Sequence, residues 1–138
     1  MQIISHRGNL KGESDYENNP RQVEAVLKIG LECEIDLWVE NKKYFLGHDK
    51  PLHEVKRSFL QQKGLWIHCK NLEALEKVPQ KTNYFWHQGD DFTLTSKNFI
   101  WTFPDKETCG RSVIVDNSRN WREKNYNCFA VCTDYVFT

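Results

Sequence analysis

The stretch Glu32 to Val39 constrains the fold more than any other part of the chain. Cys33, Ile35, Leu37 and Val39 fall on one side of a period of two, and Glu34, Asp36 and Trp38 fall on the other. An extended segment with this pattern buries one face against a core and turns two carboxylates toward a space that tolerates charge. Leu65 to Lys70 repeats the alternation, setting Trp66, His68 and Lys70 against Ile67 and Cys69. Strands that are apolar outward and polar inward favour a barrel whose mouth is functional.

Between and around these strands the chain alternates. Ile3 to His6 reads as a short strand running into Arg7-Gly8 and a polar loop. Asn19-Pro20 then reads as the cap and first turn of a helix, with Val23, Val26, Leu27 and Ile29 as its apolar stripe and Gly30 as its stop. Tyr44 to Leu46 is extended and ends at Gly47-His48-Asp49. The stretch Leu52 to Gln62 is expected to be a second helix, and Leu72 to Val78 a short third. Segments 84–87, 92–95, 99–103, 113–115 and 129–133 complete the strand candidates. The later connections are too short or too polar for good helices. The expected fold is a single α/β domain over 1–138, a reduced TIM-type (β/α) barrel with several outer helices shortened or lost. Barrels of that type typically need about 250 residues, so bare strand faces would require loops or a second copy of the chain to cover them, and a homo-oligomer is expected.

Charge narrows the partners. Nineteen Lys and Arg balance nineteen Asp and Glu, leaving no overall field to recruit nucleic acid or an anionic membrane. The first residues show no basic leader followed by a long apolar stretch, and no segment approaches membrane-spanning length. Five cysteines, an odd set without Cys-x-x-Cys spacing, argue against a disulfide framework and a structural zinc site. Together these readings place the chain in the cytoplasm, without nucleic-acid binding or stable membrane anchoring.

Four groups sit at or just past strand ends: His6-Arg7-Gly8-Asn9, Glu17-Asn18-Asn19-Pro20, Glu34-Ile35-Asp36 and Gly47-His48-Asp49. Hydrolysis of a phosphodiester needs an anion neutralised, a base for the nucleophile and an acid for the leaving alkoxide. Histidines with a carboxylate-held cation supply all three. In this order the groups resemble the signature of the glycerophosphodiester phosphodiesterases. Cys132-Thr133-Asp134-Tyr135 is similar to that family's last strand, and Trp101-Thr102 to its penultimate one. The resemblance is strong over residues 1–50 and intermittent beyond.

The resemblance implies roles residue by residue. His6 and His48 match the catalytic histidine pair, Arg7 a phosphate contact, Glu17 the pocket acid, Lys70 the basic residue of the third strand, and Glu34 and Asp36 two metal ligands. The family's Glu-x-Lys is here His68-Cys69-Lys70, which puts His68 in place of the third carboxylate; Asp90 and Glu17 are the alternatives for that position. Mg²⁺ or Ca²⁺ follows from the resemblance, whereas an imidazole suits Mn²⁺ or Zn²⁺ better. The activity implied is metal-assisted hydrolysis of a glycerol-containing or similar small phosphodiester. The alternative is a weak or inactive barrel that binds a phosphorylated ligand or a partner protein.

Each group also has a plainer reading. Alternating acids are often a solvated face, a lone His-Asp is often a turn histidine, and His68 with Lys70 could be a satisfied interior pair. His87 reads equally as a pocket group or as a core histidine bonded to a nearby acid. The tryptophans are expected in the core, where a small barrel needs bulk.

Overall fold

The computed structural model describes residues 1–137. Its elements are β1 (Gln2–His6), α1 (Pro20–Lys28), β2 (Glu32–Glu40), β3 (Lys43–Leu46), β4 (His53–Val55), α2 (Arg57–Leu60), β5 (Leu65–Cys69), α3 (Leu72–Lys77), β6 (Asn83–Phe85), β7 (Phe92–Leu94), β8 (Ile100–Thr102), β9 (Ser112–Val115), a 3-10 turn (Trp121–Lys124) and β10 (Ala130–Thr133). Seven strands run parallel in the order β6-β5-β2-β1-β10-β9-β8. The hairpin β3–β4 is laid antiparallel on the outer half of β2, and β7 is antiparallel on β8.

The sheet is strongly curled. Strands β6 and β8 are six spacings apart, which in a flat sheet would separate them by about 29 Å. Instead the Phe85 ring of β6 stacks on the Trp101 ring of β8 with centroids 4.3 Å apart. Past β7, Ser96 N donates to Tyr84 O at 2.8 Å, tying that segment to β6. This is a mixed α/β fold with a curled, barrel-like sheet and few helices.

Alternation along the strands sorts the core into layers. Ile4, Trp66, Phe85, Trp101, Val113, Ala130 and Cys132 pack together on the concave side. Cys33, Ile35, Leu37, Val39, Leu65 and Ile67 face the other way and pack with Val23, Val26, Leu60 and Ala74 of the helices. Trp121 covers Ile114 and Val131 in the same manner. Helix α1 starts where expected, with the Asn19 side chain accepting from Arg21 N and Gln22 N and with Pro20 in the first turn. It stops at Gly30, whose φ of +91° suits glycine.

One expected element is different. The stretch Leu52 to Gln62 is not a helix: His53–Val55 pairs with β3, and only Arg57–Leu60 is helical. The ladder of His53–Val55 with β3 claims the first part of the stretch, and that tertiary pairing outweighs a weak helical pattern. Beyond β6 the connections carry no α-helix, and Phe92 and Leu94 of β7 stay exposed at 43% and 60%. Among the described residues no helix is long and apolar enough to cross a membrane.

Candidate metal centre and histidine dyad

In parallel strands the carboxyl ends share one side of the sheet, so the ends of β1, β5 and β10 and the middle of the longer β2 bring His6, Glu34, Asp36, His68 and Asp134 together. The register sets the partners: His6 lies beside Glu34, and Asp36 beside His68. Glu34 and Asp36 are almost fully buried, at 2% and 1% exposure.

Glu34, Asp36 and His68 each offer a ligand atom within 4.8 Å of the others. His68 Nδ1 lies 3.2 Å from Asp36 Oδ1 and 3.7 Å from Glu34 Oε2. Its Nε2 bonds the backbone carbonyl of His87 at 2.8 Å. A carbonyl only accepts, so Nε2 carries the proton and the neutral ring presents a lone pair at Nδ1. Three acceptors thus converge, and Glu34 Oε1 and Asp36 Oδ1 are buried without hydrogen-bond partners. Such a group requires a positive charge among its members, either a proton on Nδ1 or a cation. These residues fit a metal, and the His87 carbonyl gives the imidazole the outer-shell acceptor that ligating histidines typically have. Burial by itself lowers the His68 pKa, but the Asp36 and Glu34 carboxylates beside Nδ1 outweigh it and hold it up at about 9. Burial likewise opposes ionisation of Asp36, yet the His68 and Arg7 charges and the Asn18 amide keep it well below the usual carboxylate range.

Asn18 is a brace for this strand. Its Nδ2 donates to Asp36 Oδ2 and its Oδ1 accepts from Asp36 N, both at 2.9 Å. Arg7 sits across the same oxygen, with Nε 3.4 Å from Asp36 Oδ2 and Nη1 3.1 Å from Glu17 Oε1. Arg7 and Asn18 have φ of +57° and +60°, which let the loop after β1 fold back over the site.

Beside the carboxylates, His6 Nδ1 bonds Asp134 Oδ1 at 2.8 Å, while its Nε2 faces Glu34 Oε1 at 4.0 Å. Asn9 Nδ2 also donates to Asp134 Oδ1, and Asn117 Oδ1 accepts from the Asp134 backbone N–H. Asp134 is therefore fixed before it fixes the ring. Burial pushes the His6 pKa down, but Asp134 and Glu34 together raise it above the ordinary value. No family model, curated protein or solved structure matches the chain.

Other expected residues are placed differently. His48 follows β3, whose end abuts β1: Arg7 N and Gly47 N bond successive carbonyls on one edge of β2, those of Glu34 and Asp36. Its side chain is 40% exposed, and its bonded partner among the described residues is Asp49 rather than any member of the cluster. Lys70 lies just past β5, with its backbone N–H on Leu37 O and no hydrogen bond or ion pair from its side chain among the described residues. Glu17 holds Arg7 and Asn9 and stands outside the three-ligand group; Asp90 is exposed. His87 serves through its carbonyl, and its own Nε2 bonds the backbone oxygen of Asp90. Cys33, Cys69 and Cys132 are buried, which raises their thiol pKa values and leaves them inert at neutral pH.

Proposed function

We propose that this chain hydrolyses a small glycerol-type phosphodiester with a divalent cation held by Glu34, Asp36 and His68, on a reduced (β/α) barrel of the glycerophosphodiester phosphodiesterase kind. The observation that carries this reading is the convergence of three buried acceptors next to an imidazole oriented by Asp134. Two carboxylates suit hard cations and the imidazole shifts preference toward transition metals, so Mn²⁺ fits the mixed set best. When bound, the cation supplies Lewis-acid neutralisation of the phosphate.

The chain's own groups do the rest. Asp134 accepts from His6 Nδ1–H and so leaves the Nε2 lone pair facing the carboxylates, where it exchanges a proton with the attacking or leaving oxygen. Arg7 keeps donors beyond those spent on Glu17 and Asp36, and these hold a phosphate oxygen. Lys70 adds a second positive charge at the same strand ends. His48, on the turn anchored through Gly47 to Asp36, serves as the second proton carrier.

The test is hydrolysis of glycerophosphodiesters and of bis-p-nitrophenyl phosphate after chelation, with Mg²⁺, Ca²⁺, Mn²⁺ and Zn²⁺ restored singly. Activity restored by a cation and lost in Glu34→Ala supports the reading. Silence with every cation and substrate in folded protein favours the second reading, a barrel that binds a phosphorylated ligand without turning it over. The exposure of His48, bonded to Asp49 and away from the cluster, is what speaks for that alternative.

A further inference from the structure

Asn9 neither holds the metal nor carries a proton in the proposed reaction, yet it is 1% exposed beside the groups that do. The turn from His6 to Asn9 has φ of +57° at Arg7 and +87° at Gly8, both left-handed as a type I′ turn requires, and it closes with Asn9 N donating to His6 O at 2.9 Å. Ser5 Oγ donates to Asn9 O at 2.7 Å and locks the residue against β1. The chain thus returns the Asn9 side chain to the strand end that carries the imidazole.

Its amide has two protons and two carboxylates to receive them. Nδ2 lies 2.9 Å from Glu17 Oε2 and 2.9 Å from Asp134 Oδ1, while Oδ1 accepts from Ser14 Oγ at 3.0 Å. The opposite amide orientation would turn an oxygen toward both carboxylates, so the network decides which end is which. Buried amides often do no more than tie a loop to a strand. Here the bond falls on Asp134 Oδ1, the oxygen that also accepts from His6 Nδ1 at 2.8 Å, and two donors on one oxygen hold the carboxylate against rotation. Asn117 fixes only the Asp134 backbone, and its own Nδ2 lies 3.4 Å from His6 Nδ1. That amide is a donor, so it favours the ring form in which Nδ1 is a lone pair, whereas Asp134 favours the form in which Nδ1 carries the proton. Glu17 gives its other oxygen to Arg7 Nη1 at 3.1 Å, and a continuous line of bonds runs from Arg7 through Glu17, Asn9 and Asp134 to His6.

We propose that Asn9 is a positioning residue for His6: anchored by Glu17, its amide fixes the Asp134 carboxylate and thereby holds the imidazole as the Nδ1–H tautomer. Without that amide the Asp134 carboxylate is free to turn away, and Asn117 draws the ring toward the Nε2–H form, whose lone pair faces away from the site. The effect on turnover rests on the hydrolysis proposed above. The tautomer does not, since it belongs to the protein without substrate or metal.

The experiment uses the whole chain with nitrogen-labelled histidine, in chelator, and reads the ring nitrogens of His6 by NMR at a pH where the ring is neutral, the signals being assigned through His6→Gln. The parent should show almost only the Nδ1–H form. Asn9→Ala should show about tenfold more of the Nε2–H form, the effect of losing one hydrogen bond to a charged group. With substrate and metal its kcat should fall about tenfold while KM stays within about twofold. Asn9 is buried, so Glu17→Ala supplies a second variant: the Glu17 side chain is 21% exposed, and its loss releases one anchor of Asn9 without touching Asp134 or His6. The Nε2–H form should rise there too, by less, and this variant decides alone if Asn9→Ala does not fold. Unchanged ring populations in the folded variants would overturn the proposal, as would a lower Tm in Asn9→Ala with the ring still in its Nδ1–H form. If no phosphodiester is turned over, the ring populations still judge Asn9; turnover with unmoved populations refutes Asn9 and leaves the proposed activity standing.

Discussion

Replacing Glu34 by Gln tests the metal centre without requiring a substrate. In cation-free protein Glu34 is attracted to protonated His68 at 3.7 Å and repelled by Asp36, whose ligand oxygen lies within 4.8 Å. At an effective dielectric of about 20 these amount to about 4.5 kcal/mol of attraction and at least about 3.5 kcal/mol of repulsion. The two nearly cancel. What remains is the attraction of Glu34 for Arg7 and for protonated His6, set against the cost of a buried carboxylate oxygen without a donor, about 1–3 kcal/mol. Glu34→Gln is therefore expected to lie within about 1 kcal/mol of the parent in chelator. For a chain of this size that is a Tm within about 4 °C of the parent's. With Mn²⁺ at about a hundred times its Kd the parent gains about 2.7 kcal/mol, whereas the variant, lacking one ligand, gains little. The two proteins should thus nearly coincide in chelator and separate with metal in a thermal-shift titration. A variant more than about 1 kcal/mol below the parent in chelator, or equal Mn²⁺ shifts in both, would refute the reasoning.

Asp134→Asn should leave the fold intact but present the wrong His6 tautomer, lowering kcat by about 10²–10⁴-fold and changing the pH–rate profile, measured beside an unchanged circular dichroism spectrum. His68, held up at about 9 against an unfolded value near 6.5, contributes stability that is complete below pH 6.5 and is lost as pH rises through 9. Cation-free parent should therefore lose Tm across that window more steeply than His68→Gln. Cation affinity should run the other way, rising with pH by up to about tenfold per unit below pH 9 as the ring gives up its proton. At Gly47 an added Cβ would collide with Lys50 O, so Gly47→Ala should cost about 1–3 kcal/mol in urea unfolding. It should also raise KM or lower kcat by displacing the turn that carries His48.

The strand pattern of Glu32–Val39 was enough to place Glu34 and Asp36 on one face, because a period of two is local and one face had to be apolar. Asn19-Pro20 marked the start of α1 for the same reason. The pairing of Asp36 with His68 is a matter of register between β2 and β5, which depends on the loop and helix between them and has no local code. Asp134 belonged to a recognisable motif, yet its bond to a histidine 128 positions earlier follows only from β10 pairing with β1. Of the helix expected over Leu52 to Gln62 only Arg57–Leu60 forms, because His53–Val55 is drawn into pairing with β3, a partner that no local pattern announces. The sequence placed Asn18 in the Glu17–Pro20 group but not as a brace of Asp36, nor the His87 carbonyl as the partner of His68, since an amide and a backbone oxygen take a role only from what surrounds them.

The adjacency of β1 and β10 bears on how the molecule is made. The parallel ladder Gln2↔Ala130 to Ser5↔Thr133 closes the longest loop in the fold, and contacts so distant in sequence are slow to form. During synthesis β1 leaves the ribosome well before β10 and must wait with one edge unpaired until residue 133 follows, a template for pairing with other nascent chains. The dyad cannot assemble in any fragment that ends before Asp134, so it forms only once β10 has been made. Until it closes, the imidazole at position 6 has no carboxylate to set its tautomer.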